Sequence, residues 1–370
     1  MRIAIAHDYL TQRGGAERVV LVMAKAFPDA TIYTTLYDPD GTYPEFAERE
    51  IVTSPLNKVG FLRQRHRYAL PLLPWAAGTL RIDADVVVVS TSGWAHGFPT
   101  SGRRVVYCYS PARWLYLTAS YLGGPWWRSP TGWMLGILRP FLLRWDRRRA
   151  LKAHESGPYL AISRVVEKRI QQAYGFESKV VPAPHSASAA APQAPVTDLE
   201  DWAPGGYHLL VSRLLPYKNV TAAVEAFRTL PGQRLVVVGR GPLWDQLNAN
   251  LPPNVRMLQG LTDAQLAWVY AHCTMLVAPS FEDFGLTPLE AGVYGKPTLA
   301  LRGGGYLDTI AEGRTGEFFE EPTAAAIAAA VIANAGKTWD PDAITAHVET
   351  FSERHFIAEL QAQVAQLAGD

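Results

Sequence analysis

The chain has 370 residues, 48% hydrophobic and 19% charged, with a formal net charge of +1. Such a chain buries sizeable cores, is not disordered, and by its length suggests two domains. No run of about 18 uncharged apolar residues occurs, so no transmembrane span is expected, and two cysteines, Cys108 and Cys273, exclude a disulfide framework or a cysteine-rich zinc site.

The chain opens on strand-like Ile3–Ala6. No basic region with a cleavable apolar segment precedes it, so no secretory signal is read and a reducing cytoplasm is expected. Apolar residues at helical spacing predict a helix over Ala16–Phe27. Strands are expected at Thr31–Tyr37, Val86–Ser90, Val105–Tyr109 and Leu160–Ser163, with a helix over Arg164–Tyr174. Strands joined by crossover helices imply a parallel sheet covered on both faces. Residues 182–206, rich in Pro, Ala and Ser, have linker composition. Alternation resumes with strand Tyr207–Ser212, a helix after Asn219, strand Leu235–Val238 and helix Pro242–Asn250. Strand Met275–Ala278, a helix beginning near Pro288, strand Thr298–Leu301 and Ala-rich helices around Ala324–Ala335 and Phe351–Leu367 complete the chain. The expected fold class is α/β: an N-terminal Rossmann-like domain over 1–185, a linker over 186–206, a second Rossmann-like domain over 207–350 and a final helix over 351–370. Two such domains leave a cleft between them, a usual place for a ligand.

Glu282 and Glu290 bracket the most informative segment, Glu282-Asp283-Phe284-Gly285-Leu286-Thr287-Pro288-Leu289-Glu290. It lies at the carboxyl end of a strand and at a helix start, where open α/β sheets bind ligands. Glycine permits close backbone approach, amides of a helix start favour an anion, and carboxylates suit hydroxyls. A nucleotide diphosphate bearing a sugar fits that set. The same residues also read as a capping box, with Thr287 at the N-cap, Pro288 next and Glu290 three residues on, which leaves a structural role for Glu290 open.

Arg213 and Lys218 occupy a loop after strand Tyr207–Ser212. A forked guanidinium and a point charge suit a diphosphate, although two cations alone also fit a plain surface. Gly239 and Gly241 form a Gly-x-Gly turn after a strand, a weak signal by itself. Gly303-Gly304-Gly305 reads either as a flexible loop or as a ligand-facing one. Gly14 and Gly15 join the first strand to its helix, where backbone approach and an anion are again favoured. His7 at a strand end reads more simply as structural than catalytic. Asp83-Ala84-Asp85 precedes its strand instead of following it, so it reads as solvated turn residues and no metal is expected there.

Residues 1–200 carry 24 Lys and Arg against 16 Asp and Glu, while residues 201–370 carry 11 against 18. The first half is thus expected to meet something anionic. Phe61–Tyr68, and the stretch from Trp126 through Trp133 and Arg139 to Arg149, interleave arginine with large apolar residues. That mixture suits an anionic lipid interface. A core helix with a basic face, or a nucleic-acid patch, has similar composition; the membrane is the favoured partner and nucleic acid is not expected.

Together, His7–Arg18, Tyr107–Arg113, Ala161–Arg169, Ser212–Asn219, Gly239–Pro242, Glu282–Ala291 and Gly303–Thr309 resemble retaining glycosyltransferases of family 4. Glu282 and Glu290 match that family's Glu-x7-Glu signature. The resemblance implies the GT-B fold, two Rossmann-like domains with parallel sheets facing across a cleft and a last helix crossing back to the first domain. It implies retaining, metal-independent transfer from a nucleotide-sugar, which is a co-substrate, with no cofactor. Bacterial mannosyltransferases of exopolysaccharide or O-antigen assembly look nearest, so GDP-mannose is the expected donor. The expected acceptor is a glycan or a polyprenyl-diphosphate-linked glycan at the inner face of the plasma membrane. By the same resemblance Arg213, Lys218 and Glu282 act on the diphosphate and transferred sugar. Gly15, Gly239, Gly241, Phe284, Gly285, Leu286, Glu290 and Gly304 surround the donor, with Glu290 at the ribose, and Gly14 lies near the acceptor. One departure is Tyr109, which stands where relatives often have a histidine near the transferred sugar; His96 is a candidate substitute from a neighbouring loop. Tyrosine hydrogen-bonds but is a poor base near neutral pH. The rival readings are an inverting transferase or epimerase of similar shape, and a catalytically degenerate scaffold.

Overall fold

The computed structural model describes residues 1–64, 69, 72–117 and 130–369. They form two compact units, one of Met1–Ala183 with Glu353–Asp370, the other of Pro184–Ser352. Each is a parallel sheet with helices between successive strands, so both are Rossmann-like.

The first unit has seven strands: β1 (Ile3–His7), β2 (Thr31–Thr34), β3 (Ile51–Thr53), β4 (Val86–Thr91), β5 (Arg103–Cys108), β6 (Tyr159–Ala161) and β7 (Lys179–Val180). Their order is β3-β2-β1-β4-β5-β6-β7. Every residue of β4 is buried, as a central strand covered on both faces requires. The final helix, Glu353–Gly369, belongs to this unit. Leu360 and Val364 are buried in it, Phe356 meets the Tyr107 ring edge-on at 5.2 Å, and Glu353 and Glu359 pair with Lys25 and Lys179 at 2.6 Å each. Asp83 and Asp85 bind Arg2, the first through its guanidinium at 3.0 Å and the second through its backbone N–H at 2.7 Å.

The second unit has six strands: β8 (His208–Val211), β9 (Leu235–Val238), β10 (Val255–Leu258), β11 (Met275–Ala278), β12 (Thr298–Leu301) and β13 (Gly316–Phe319), ordered β10-β9-β8-β11-β12-β13. Alternate residues feed two cores, as the strand pleat dictates. Leu210, Val237, Val277 and Leu299 pack on one face with Phe227 and Ile327, and Leu209, Val236, Leu276 and Ala300 on the other with Trp268 and Tyr306. The stretch expected to be a linker is largely part of this unit, because Val196, Leu199 and Trp202 are buried in its second core.

Four strands lie outside the expected set: β3, β7, β10 and β13. All are sheet edges. Edge strands are short and half solvated, so their composition is mixed and the period-2 signal weak. Strand Thr31–Tyr37 is shorter than expected; pairing ends at Thr34, with a lone bridge from Tyr37 to Leu10.

Candidate functional site

In the second unit the strand order turns back on either side of β8, which lies between β9 and β11. This is the topological switch point where open α/β sheets bind ligands beyond the strands' carboxyl ends. The loops leaving β8, β9, β11 and β12 meet there. The Leu214 N–H donates to the Arg240 carbonyl at 2.8 Å, tying the loop of Arg213 and Lys218 to the Gly239–Pro242 turn. Asn219 has φ +55°, a left-handed conformation that asparagine tolerates, and its side-chain amide donates to the Pro279 carbonyl at 2.9 Å. The Gly305 N–H donates to the Glu282 carbonyl at 2.8 Å.

Two glycines are required by this closeness. Gly285 has φ +92°, and a Cβ there would lie 2.5 Å from the Tyr306 ring. Gly304 has φ +60°, and its Cβ would lie 2.1 Å from the Glu282 carbonyl oxygen. Only glycine combines that backbone with that contact.

The centre of the site is the Glu282 carboxylate. Its Oε1 accepts from the Lys218 ammonium and from the Ser280 hydroxyl, the latter at 2.6 Å. Lys218 is buried; Glu282 keeps 28% of its side chain exposed. Its Oε2 carries no hydrogen bond among the described residues. One oxygen is therefore fixed by the protein while the other is presented outward. Ser280 also lies 3.3 Å from the Tyr306 hydroxyl. Burial, then the Glu282 charge, pushes that phenol above its ordinary value, so it remains a donor.

Arg213 is exposed, and its guanidinium donates to the Tyr217 hydroxyl at 3.3 Å. Gly239 donates its N–H to the Leu258 carbonyl at 3.0 Å, and Gly241 is two residues further along that turn. Phe284 is buried and Leu286 is the first residue of the helix Leu286–Gly292. The capping box is not formed. The helix begins two residues before Pro288, Gly285 is its N-cap, and no side chain caps it. Glu290 instead accepts at Oε2 from the Tyr270 hydroxyl, 2.6 Å away. Burial, then Glu290 itself, holds that phenol well above its ordinary value.

In the first unit the corresponding switch point lies between β1 and β4, whose ends hold a buried polar cluster. Asp8 accepts from the backbone N–H groups of Ser92, Trp94 and Ala95 at 2.6, 2.8 and 2.7 Å. His7 Nδ1 lies 2.9 Å from the Ser90 hydroxyl, which lies 2.9 Å from the Tyr109 hydroxyl. Tyr109 also donates to the Ala16 carbonyl at 3.2 Å. Burial pushes its phenol far up, so it stays neutral.

Gly14 is the N-cap of the helix Gly15–Ala26. Glu17 lies in the first turn of this helix and is buried. Its buried Oε2 has no hydrogen-bond partner among the described residues. Burial, the largest effect, pushes that carboxyl above its ordinary range. His96 is buried, with Nε2 3.0 Å from the fully buried Asp146. Asp146 also accepts from Tyr116 and Tyr174 at 2.8 and 3.0 Å, so His96 serves a packed junction. Sequence reasoning missed Ser280, Tyr306, Tyr270 and Asp8; of these Ser280 and Tyr306 flank the segments already singled out.

Residues 205–334, which hold this site, match the family of glycosyl transferases group 1. This stretch is similar to that family over about a third of the chain. A stretch of 67 residues is 42% identical to an alpha-1,3/1,6-mannosyltransferase of Dictyostelium discoideum, covering 18% of this chain and 16% of that protein. Another of 136 residues is 34% identical to glycogen synthase of Pseudomonas paraeruginosa, covering 35% of this chain and 26% of the synthase. The chain thus spans about a quarter or less of these two relatives' lengths. Two solved structures match over nearly the whole chain. Anabaena HepE in complex with UDP-glucose aligns with TM-score 0.68 at 17% identity, over 99% of this chain and 100% of HepE. Sucrose-phosphate synthase of Thermosynechococcus elongatus aligns with TM-score 0.68 at 16% identity, over 100% of both chains. The likeness shows a GT-B fold, and the matched residues 205–334 lie in its second unit.

Proposed function

We propose that the chain moves a sugar from a nucleotide-sugar to a growing glycan with retention of anomeric configuration, mannose from GDP-mannose being our assignment. The observation that carries this reading is Glu282 at the switch point of the second unit, one oxygen clamped by Lys218 and Ser280 and the other outward. An outward carboxylate oxygen suits a hydroxyl of the transferred sugar. Mannose is supported by the matched stretch of the mannosyltransferase.

In this reading the bond from the anomeric carbon to the diphosphate breaks, the acceptor oxygen bonds to that carbon on the same face, and the acceptor proton passes to the leaving diphosphate. Arg213 and Lys218 meet the charge developing on the diphosphate, which is electrostatic catalysis, and we assign no metal to the step. Glu290, oriented by Tyr270, would hold the ribose. The acceptor is a lipid-diphosphate-linked or polysaccharide glycan, met at the inner face of the plasma membrane.

Thermal shift against GDP-mannose, UDP-glucose and UDP-N-acetylglucosamine tests the donor, because a ligand of the native state raises Tm. GDP-mannose is expected to give the largest rise. A response to UDP-glucose alone replaces the donor and leaves the reaction class standing, and silence toward every nucleotide-sugar overturns the donor site. Arg213→Ala should lower kcat by about 100-fold, in the range of losing one preorganised charge-stabilising donor. Turnover near that of the native chain would remove Arg213 from the scheme.

A further inference from the structure

The helix Pro130–Glu155 has two faces of opposite character. Leu142, Asp146, Ala150 and Ala153 are buried and form its inward seam. Asp146 fixes that seam, because its carboxylate takes hydrogen bonds from Tyr116 and Tyr174 and pairs with His96. The helix therefore cannot roll. On the opposite side Ile137, Phe141, Arg144, Arg148 and Leu151 follow one another at intervals of four and three, which places them in one stripe. Ile137 is 68% exposed, Phe141 72% and Leu151 39%. Among the described residues nothing in the unit's own packing calls for large apolar side chains there. Arg144 and Arg148 are exposed on the same stripe, with no acidic partner among the described residues. Like charges four residues apart weaken a helix unless something anionic meets them. Arg147 and Lys152 flank the stripe and Glu155 closes it. The same unit also exposes Phe61 and Trp75.

We propose that this stripe docks the first unit onto an anionic lipid surface, Ile137, Phe141 and Leu151 entering the headgroup boundary and Arg144 and Arg148 meeting phosphate. Aromatic and aliphatic residues beside arginine match that boundary, where apolar faces insert and cations meet anionic headgroups. A duplex nucleic acid would use the arginines but would leave the apolar residues in water. The orientation rests on the reading of a lipid-linked acceptor, but lipid binding is measured without it.

The test is co-sedimentation of the full chain with mixed phosphatidylcholine–phosphatidylglycerol vesicles and with pure phosphatidylcholine vesicles. The native chain should bind the anionic vesicles and leave the neutral ones. Two paired substitutions, Ile137→Ser with Phe141→Ser and Arg144→Gln with Arg148→Gln, should each lower anionic-vesicle binding by about tenfold. Added salt should weaken the native chain more than the arginine variant. Tm and circular dichroism should be unchanged, as all four side chains face outward. Equal binding to neutral vesicles, or undiminished binding by both variants, overturns the proposal. So does binding to a duplex oligonucleotide without vesicle binding, or a dimer of the native chain that the Phe141→Ser pair abolishes. Vesicle binding in a chain that transfers no sugar would uphold this inference and sink the proposed function.

Discussion

Ser280→Ala probes the one oxygen on which the site depends. The serine is 3% exposed, donates to Glu282 Oε1 at 2.6 Å and lies 3.3 Å from the Tyr306 hydroxyl. A hydrogen bond to a charged acceptor contributes about 1.5–3 kcal/mol when it is lost outright. Here Lys218 still holds the same oxygen and Glu282 is 28% exposed, so water relieves part of the loss. The expected cost is about 1–1.5 kcal/mol, which is roughly tenfold in kcat/KM if Glu282 must keep its aim in the transition state. The assay is a double-mutant cycle with Glu282→Gln, reading transfer kinetics and urea unfolding together. If Ser280 acts through Glu282, its removal in the Glu282→Gln background should change kcat/KM by less than about twofold. A tenfold loss that persists in that background would refute the argument, as would a single variant as active as the native chain.

Gly285→Ala should cost about 2–4 kcal/mol in urea unfolding, since it combines a left-handed φ of +92° with a Cβ 2.5 Å from the Tyr306 ring; a loss below about 0.5 kcal/mol would show that the loop relaxes freely. Burial lowers the His208 ring to about 4, so the folded chain stays neutral where the unfolded chain takes a proton. Its contribution is complete above the unfolded value near 6.5 and is lost as pH falls toward 4, by about 3 kcal/mol at most. His208→Gln should flatten that part of the stability profile, and an unchanged profile would count against it. Burial raises the Cys273 thiol to about 12, so thiol reagents should label it only at the rate of unfolding, and rapid labelling of the native chain would contradict its packing.

The central strands were legible because burial on both faces writes continuous apolar runs, as in Val86–Val89 and Leu235–Val238. The edge strands were not, since half-solvated residues carry little period. The Glu282–Glu290 segment was legible as a loop between a strand's carboxyl end and a helix start, but its local geometry was not. Thr287, Pro288 and Glu290 have the spacing of a capping box, yet Gly285 starts the helix earlier and Tyr270 takes Glu290 instead. A capping box is a local rule, and a buried hydroxyl from another helix overrode it. His96 shows the same limit, for only the packed junction reveals that its partner is Asp146.

The sequence alone determined the two-domain α/β organisation and the loops that bear charge and glycine, because periodicity and turn chemistry are properties of neighbouring residues. The tertiary structure decided which oxygen of Glu282 is held and which is offered, and which face of Pro130–Glu155 looks outward. Both depend on partners far away in the chain, Lys218 on Glu282 and Tyr116, Tyr174 and His96 around Asp146. Such contacts are set only when the sheets bring distant loops together.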